Sequence, residues 1–429
     1  MIDIKLIREN RALVKENIKK KFQDYKIPFV DEIYDLDVKW RKEKAQLDAL
    51  RAERNKISQL INEEKKAGKD VSLLLQKAKQ IPDEIAKIEK YADSLQSAIN
   101  ERLLKIPNII SDKTPIGKDE NDNVVIKRWG KIPKFKFPLL NHVEIAEKQG
   151  FADFDASAKV AGNGFYYLKN DLALLNQALI HFAIDFMKKR GYEYIEGPLM
   201  LNEKSIYASM DKKAIEQSVY SIKDEDLNLI GTSEQSLLAM HSGHTFSEKE
   251  LPKKYFSYSM CLRKEVGSHG INEKGLWRTH QFNKVEQFIF CKPEESEELY
   301  SELLKNSEDM LKLLKLPYRV VEICSGDLAD WKFRSADLEV YRPTIKKYGE
   351  VGSLSNCTDY QARKLNIKYS NKKGEKVVVH TLNNTALATS RIMVVILENY
   401  QQKDATVKVP NVLVKYLGKK VIGKPLNKK

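Results

Sequence analysis

Cysteine is scarce in this chain. Its 429 residues hold four, Cys261, Cys291, Cys324 and Cys357, and no two form a C-x-x-C pair. That spacing argues against a zinc ribbon, and four scattered thiols suit a reducing compartment. His142, His181, His241, His244 and His269 show no ligand spacing beyond one isolated H-x-x-H at His241 and His244, which reads as loop polarity; no structural zinc is expected. No apolar run is long enough to cross a bilayer, and the N-terminus, Met-Ile-Asp-Ile-Lys-Leu-Ile-Arg, has no long apolar core. The expectation is a soluble, cytoplasmic protein with no membrane partner. Internal repeats and low-complexity tracts are absent. Gly162-Asn-Gly164 lacks the following glycine and the strand–helix context of a dinucleotide site.

A hydrophobic content of 42% over 429 residues gives a globular chain, long enough for two or more domains. Lys and Arg number 74 against 60 Asp and Glu, a formal net charge of +14. Such an excess suits a polyanionic partner, because clustered cations displace counterions from phosphates. A Lys-rich composition with no nucleic-acid contact accounts for the charge equally well.

From about Val30 to Leu104 the chain carries a heptad pattern. Ile33, Leu36, Trp40, Leu47, Leu50, Ile57 and Ile61 fall on one alternating 3/4 register, with Glu43 and Arg54 at its two polar positions. Ile81, Ile85, Ile88, Ala92, Leu95 and Ile99 form a second. Two such stripes joined by Lys66-Ala-Gly-Lys-Asp70 predict an antiparallel coiled-coil hairpin, the first helix reaching roughly 45 Å at 1.5 Å per residue. Gly68 supplies the turn and Asp70 can cap the returning helix, while Pro82 should kink that helix or delay its regular start. A heptad hairpin is most often structural or oligomerising. Basic positions off the seam, among them Arg41, Lys44, Arg51, Lys56, Lys65, Lys66 and Lys69, allow a grip on a long nucleic acid instead.

Ile106-Pro107-Asn108 ends the hairpin, and a polar stretch runs to Trp129-Gly130. Beyond it, Asp171 to Arg190 reads as an amphipathic helix and Gly191 to Ile195 as a strand stopped by Gly197-Pro198. Tyr255 to Leu262, Gln287 to Phe290 and Val377 to His380 read as strands. The tail after Gln402 is Lys-rich and is expected to extend along the surface.

The most informative stretch runs from His380-Thr-Leu-Asn-Asn-Thr-Ala-Leu-Ala-Thr-Ser-Arg391 into an apolar run, Ile392 to Leu397. A polar strand becomes an apolar helix, and one arginine opens that helix. Beside an apolar run an unpaired guanidinium would be costly, so it should meet an anion. Two further segments precede it: Arg263-Lys264-Glu265 before a glycine-bearing loop, Val266-Gly-Ser-His-Gly270, and a returning strand with His280-Gln281-Phe282 and Lys284-Val285-Glu286. Arg263 and Glu265, two apart at a strand end, should share a face.

These segments, in this order, resemble motifs 2 and 3 of the class II aminoacyl-tRNA synthetases, and in detail the seryl-tRNA synthetases. The helix–strand–Pro unit at 171–198 resembles motif 1, which forms that class's dimer interface. The opening Ile2-Asp3-Ile4-Lys5 and the hairpin resemble the family's N-terminal arm. The wording of Gly231-Thr-Ser-Glu234 and Ala388-Thr-Ser-Arg391 is nearer to archaeal members. The resemblance implies an α+β protein with a tRNA-binding helical arm at residues 1–106. A class II catalytic domain follows at 107–429, an antiparallel β-sheet flanked by helices, and the whole is a homodimer.

It also implies ATP-dependent activation of L-serine and transfer to tRNA(Ser), gripped by the hairpin, with tRNA(Sec) a further acceptor to consider. Activation needs charge stabilisation rather than a nucleophilic side chain, because the amino acid's own carboxylate attacks the α-phosphorus. By the resemblance Arg263 meets the α-phosphate and the serine carboxylate. Lys264 and Glu265 help hold the nucleotide, Phe282 stacks on adenine, and Thr279, His280 and Gln281 lie beside the base. Arg391 meets the γ-phosphate. Glu350, with Val351, Gly352 and Ser353, forms the segment at the metal, Glu350 being the Mg²⁺ ligand; Mg²⁺ needs few protein ligands beside phosphate oxygens. Thr232, Ser233, Glu234, Glu286, Asn383 and Thr385 form the serine pocket, in which a buried Glu286 requires a cation that the substrate ammonium can provide. The chain departs from the family at Gly352, Leu354, Gly164 and Asn176. A carrier-protein amino-acid ligase and a non-catalytic RNA-binding paralogue are the alternatives. The long hairpin opposes the first, and retention of Arg263, Glu265, Glu286, Glu350 and Arg391 opposes the second.

Overall fold

The computed structural model describes residues 1–266 and 274–426. The chain divides into two compact units, residues 2–107 and, with Met1, residues 108–429. The glycine-bearing loop at Gly267 to Gly270, and His269 with it, lies outside the described residues.

The first unit is helical: α1 (Ile4–Glu9), α2 (Arg11–Lys20), α3 (Ile27–Lys66) and α4 (Ser72–Leu103). The Asp3 carboxylate accepts from the Lys5 N–H at 2.9 Å and the Asn10 side chain from the Leu13 N–H at 3.0 Å, so each short helix begins at a polar cap. Pro28 sits in the first turn of α3, where a missing N–H costs nothing. With 40 residues, α3 is about 60 Å long, longer than expected because its regular part begins before the heptads do. Gly68 turns the chain at φ 69°, and Asp70 accepts from the Ser72 N–H at 2.9 Å. Ile33, Leu47 and Ile57 are buried against Ile81, Ile85, Ala92, Leu95 and Ile99 along the two helices. Leu36, Trp40, Leu50 and Ile61 are only half-buried, and Arg54 is exposed. Pro82 does not delay α4, which starts ten residues earlier and runs through it; Pro82 is exposed. Asp37 is buried and is held by Arg8 at 2.6 Å and Arg41 at 2.9 Å.

The second unit is built on eight strands: β1 (Val124–Trp129), β2 (Glu193–Tyr194), β3 (Lys253–Leu262), β4 (Gln281–Cys291), β5 (Tyr318–Glu322), β6 (Arg334–Arg342), β7 (Lys347–Thr358) and β8 (His380–Ala388). Their order is β1-β5-β6-β7-β8-β4-β3-β2, antiparallel except for the β2–β3 edge. Helices α5 (Asn170–Lys189), α6 (Ser233–Ala239), α7 (Ser296–Leu313) and α8 (Thr389–Tyr400) pack with it. Strand β4 lies inside the sheet, and from Asn283 onward every residue is buried, the polar Asn283, Lys284, Glu286 and Gln287 included, so burial here does not follow the alternation expected of the strand. The predicted strand–helix unit at Arg391 is β8 followed by α8; Ile392 to Leu397 are buried in the main core.

Two expectations do not hold. The strand before Arg263 stops at Leu262, and Glu265 has φ 50°, so the Arg–Glu pair is not set by strand alternation. The C-terminal tail is not a surface strap. Val407–Lys408 pairs with Val421–Ile422 around a short helix, Asn411–Leu417, and Val407, Val409, Leu413 and Ile422 enter the main core. Its lysines masked that apolar spacing. All four cysteines are free and buried. Among the described residues no helix is long and apolar enough to cross a membrane.

Candidate active site

One cleft opens over β3, β4, β7 and β8 at the starts of α6 and α8. Arg263 and Glu265 enter it from beyond β3, Phe282 and Glu286 from β4, and Glu350, Val351, Gly352 and Ser353 from β7. Asn383 and Thr385 come from β8, Arg391 from α8, and Thr232 and Glu234 from the capped start of α6. Thr279 lines it as well. Sheet register brings these together: Glu286 lies opposite Ser257 on one side and Thr385 on the other. A bulge at Val351 separates the Glu350–Glu339 and Gly352–Leu338 pairs, breaking the alternation of β7 next to the cleft.

Four expected residues frame the cleft without lining it. The Lys264 N–H bonds the Ser218 carbonyl at 2.9 Å. A ring nitrogen of His280 lies 2.8 Å from the Arg263 carbonyl and 3.1 Å from the Tyr220 hydroxyl. The Gln281 carbonyl accepts from the Thr279 hydroxyl at 2.9 Å. Ser233 is buried, its hydroxyl 3.4 Å from the Ser257 carbonyl. Each is tied into the backbone that shapes the wall, a role that motif order alone does not separate from contact.

Arg391 meets the anion that its position demanded. Its guanidinium lies 3.0 Å from a Glu350 carboxylate oxygen and donates to the carbonyls of Glu350 at 2.9 Å and Trp277 at 3.3 Å. That guanidinium holds the Glu350 carboxyl below its ordinary range. Nearby, burial first and Glu350 second push the Asp337 carboxyl up to about 7. On the other side of the cleft, Arg263 donates to the Gly231 carbonyl at 3.0 Å and stands 5.3 Å from the Phe282 ring centre. Glu265 is paired with Arg278 at 2.7 Å.

The deepest part holds two carboxylates. Asn383 Nδ2 donates to both, 2.9 Å to Glu234 and 3.3 Å to Glu286. Gln361 donates to Glu234 at 2.7 Å, and the Thr385 hydroxyl to Glu286 at 3.4 Å. The cation expected beside Glu286 is already supplied by the protein: Lys284 Nζ is 2.5 Å away. Lys284 was overlooked although it is two residues from Glu286 on one strand, the spacing that puts both on one face. Trp277, Arg278 and Lys332 also line the cleft and were missed; a partner for Glu265 was the available signal for Arg278.

The departures from the family pattern have local explanations. A Cβ at Gly352 would stand 3.3 Å from Thr385 Cβ, so glycine there accommodates threonine at 385. Asn176 is buried and accepts from the Thr389 hydroxyl at 2.6 Å, bracing the start of the helix that carries Arg391. The Gly164 carbonyl accepts from the His280 N–H at 2.8 Å. Leu354 is core. The H-x-x-H pair is not loose polarity: His241 packs among Phe246, Tyr255 and Phe290, and burial lowers its pKa to about 4.

An antiparallel sheet carrying paired arginines across a cleft, one just past a strand and one opening an apolar helix, defines a class II aminoacyl-tRNA synthetase. The family model of the tRNA synthetase class II core domain (G, H, P, S and T) matches residues 218–400, and that of the seryl-tRNA synthetase N-terminal domain matches residues 1–110. The serine–tRNA ligase of Methanocella arvoryzae is 44% identical over 97% of this chain and 99% of its own. The fold is similar to that of the seryl-tRNA synthetase of Pyrococcus horikoshii complexed with ATP, with a TM-score of 0.91 and 42% identity over 100% of each chain. It is also similar to the cytoplasmic serine–tRNA ligase of Naegleria fowleri in complex with AMP, with a TM-score of 0.87 and 34% identity over 99% of each. The chain belongs to the seryl-tRNA synthetase family, and its archaeal wording agrees with the first two of these relatives.

Proposed function

We propose that the protein activates L-serine with ATP and transfers it to tRNA(Ser). The observation that carries this reading is the division of one cleft: two arginines and Phe282 on its outer walls, two bridged carboxylates at its floor. A zwitterionic amino acid fits that polarity, its ammonium toward Glu234 and Glu286 and its carboxylate toward Arg263. The serine carboxylate oxygen attacks the α-phosphorus, the bond to the bridging oxygen breaks, and pyrophosphate leaves. In the second step a terminal ribose hydroxyl of the tRNA attacks the acyl carbon, and AMP leaves.

Arg263 and Arg391 supply fixed positive charge where the phosphates gather negative charge, so little reorganisation is needed in the transition state. Phe282 offers the planar face for adenine, and Thr232 and Thr385 offer hydrogen bonds to a side-chain hydroxyl. A pocket built around such bonds rejects alanine, because its polar groups would be left unpaired.

Mg²⁺ belongs to this reading. Glu350 would hold it, with Asp337 close by; hard carboxylate oxygens suit the ion, which would neutralise charge on the triphosphate. The hairpin would grip the RNA. The homodimer rests on the large apolar side chains Tyr167, Leu174, Leu199 and Met200, left exposed around motif 1.

The test is exchange of labelled pyrophosphate into ATP across a panel of amino acids. Exchange that depends on serine, and not on alanine or threonine, is expected; exchange with no amino-acid dependence would remove the reading. Glu286→Gln should raise the serine KM much more than the ATP KM, because the lost charge faces the ammonium. Equal loss for both ligands would point to collapse of the buried cluster instead.

A further inference from the structure

The floor of the cleft carries an uneven charge balance. Glu286 is fully buried, Glu234 is 9% exposed and Asn383 8%, and the side chain of Lys284 is 7% exposed. Two carboxylates thus share one ammonium, leaving one negative charge in a site that water barely reaches. Among the described residues Asn383 Oδ1 is buried and has no hydrogen-bond partner, although its Nδ2 bridges both carboxylates. The floor therefore offers one free acceptor and one uncompensated charge, the complement of a single ammonium group.

Resting on the reading above, we infer that Lys284 is a positioning residue that fixes this complement. It clamps Glu286 through a short ion pair and leaves the floor with one net negative charge, so that it takes an α-ammonium. Without Lys284 the two carboxylates face one another across Asn383. Like charges so placed cannot both remain ionised in a desolvated site, so the pair would hold a proton. The ammonium would then have to compete with that proton for the same oxygens.

Among the described residues other charged groups face the floor, and none of them replaces Lys284. Lys332 acts on Glu234 more weakly than Lys284 does. Arg263 and Cys261 stand on the β3 side, and the Cys357 thiol, kept neutral by burial, lies toward Glu234. Burial and Glu286 already raise the pKa of Glu234, and Lys284 opposes that rise. Removing the lysine therefore raises it further. The carboxylate form is the one that binds, so the acid limb of serine activation should move to higher pH.

The experiment is serine-dependent pyrophosphate exchange by full-length wild type, Lys284→Met and Lys284→Arg, with KM for serine and for ATP measured from about pH 5 to 9. Lys284→Met should lose on the order of thirtyfold or more in kcat/KM for serine, the scale of unpairing one buried charge. Its ATP KM should stay within about twofold of wild type, and its acid limb should rise by roughly one unit or more. Lys284→Arg keeps the charge and should recover part of the loss and the wild-type limb.

A serine KM and acid limb unchanged in Lys284→Met would overturn the inference. So would equal losses for serine and ATP in both variants with no shift of the limb, which is the signature of a lysine needed only for folding. Absence of serine-dependent exchange in the wild type would instead strike the proposed function itself, so the two failures are distinguishable.

Discussion

Arg391→Ala is expected to depress serine-dependent pyrophosphate exchange by about two to three orders of magnitude, the scale of removing one preorganised charge-stabilising group. The fold should survive. Arg391 stands at the open start of α8, and it contacts the Glu350 carboxylate, two carbonyls and, at 5.6 Å, the Trp277 ring, so its removal takes no apolar side chain from the core. The apolar residues that anchor the helix, Ile392 to Leu397, are untouched. The loss should fall on kcat, because the developing charge is on the departing pyrophosphate. Glu350 would lose the cation that holds its carboxyl low, so Arg391→Lys should restore only part of the rate: an ammonium keeps the charge and loses the fork that reaches carboxylate and carbonyls together. Near-normal exchange by Arg391→Ala would remove this residue from the nucleotide site.

The second large effect separates the two units. Removing residues 47–90 and joining the cut helices through a short Gly/Ser linker should leave serine activation within about twofold of wild type, since no residue lining the cleft precedes Met210. Charging of tRNA should fall by about ten- to a hundredfold in kcat/KM, with a shallower salt dependence as phosphate contacts at Arg51, Lys56, Lys65, Lys66 and Lys69 are lost. The cut belongs within the hairpin. Its base is closed by α1 and α2, whose Ile7, Val14 and Ile18 are fully buried, and a deletion reaching Asp31 would strip their cover. A shortened enzyme that charges tRNA as well as the intact chain at physiological salt would make the hairpin an assembly element.

Much of this molecule was legible in the order of its residues. The two helices of the hairpin follow from heptads that repeat locally, and the turn follows from Gly68 and Asp70. The strand-to-helix step at Arg391 was readable because a polar run gives way abruptly to Ile392-Met-Val-Val-Ile-Leu397. The paired arginines and the acidic residues of the cleft were readable through their motifs. The tail was not: Val407, Val409, Leu413 and Ile422 are few, spaced across two short strands and a helix, and set among lysines. Neither was the role of Lys284, which sequence offers only as one lysine among many.

The sequence by itself determined what depends on near neighbours: helix periodicity, caps, the class of chemistry that two arginines and scattered carboxylates can support, and the family. Only the tertiary structure decided which charges meet. Glu234, Lys284, Glu286 and Asn383 come from the first turn of a helix and from two strands, up to 149 positions apart. Antiparallel register and burial select their partners, and the energy of a buried charge depends on what stands within a few ångströms of it rather than on its place along the chain.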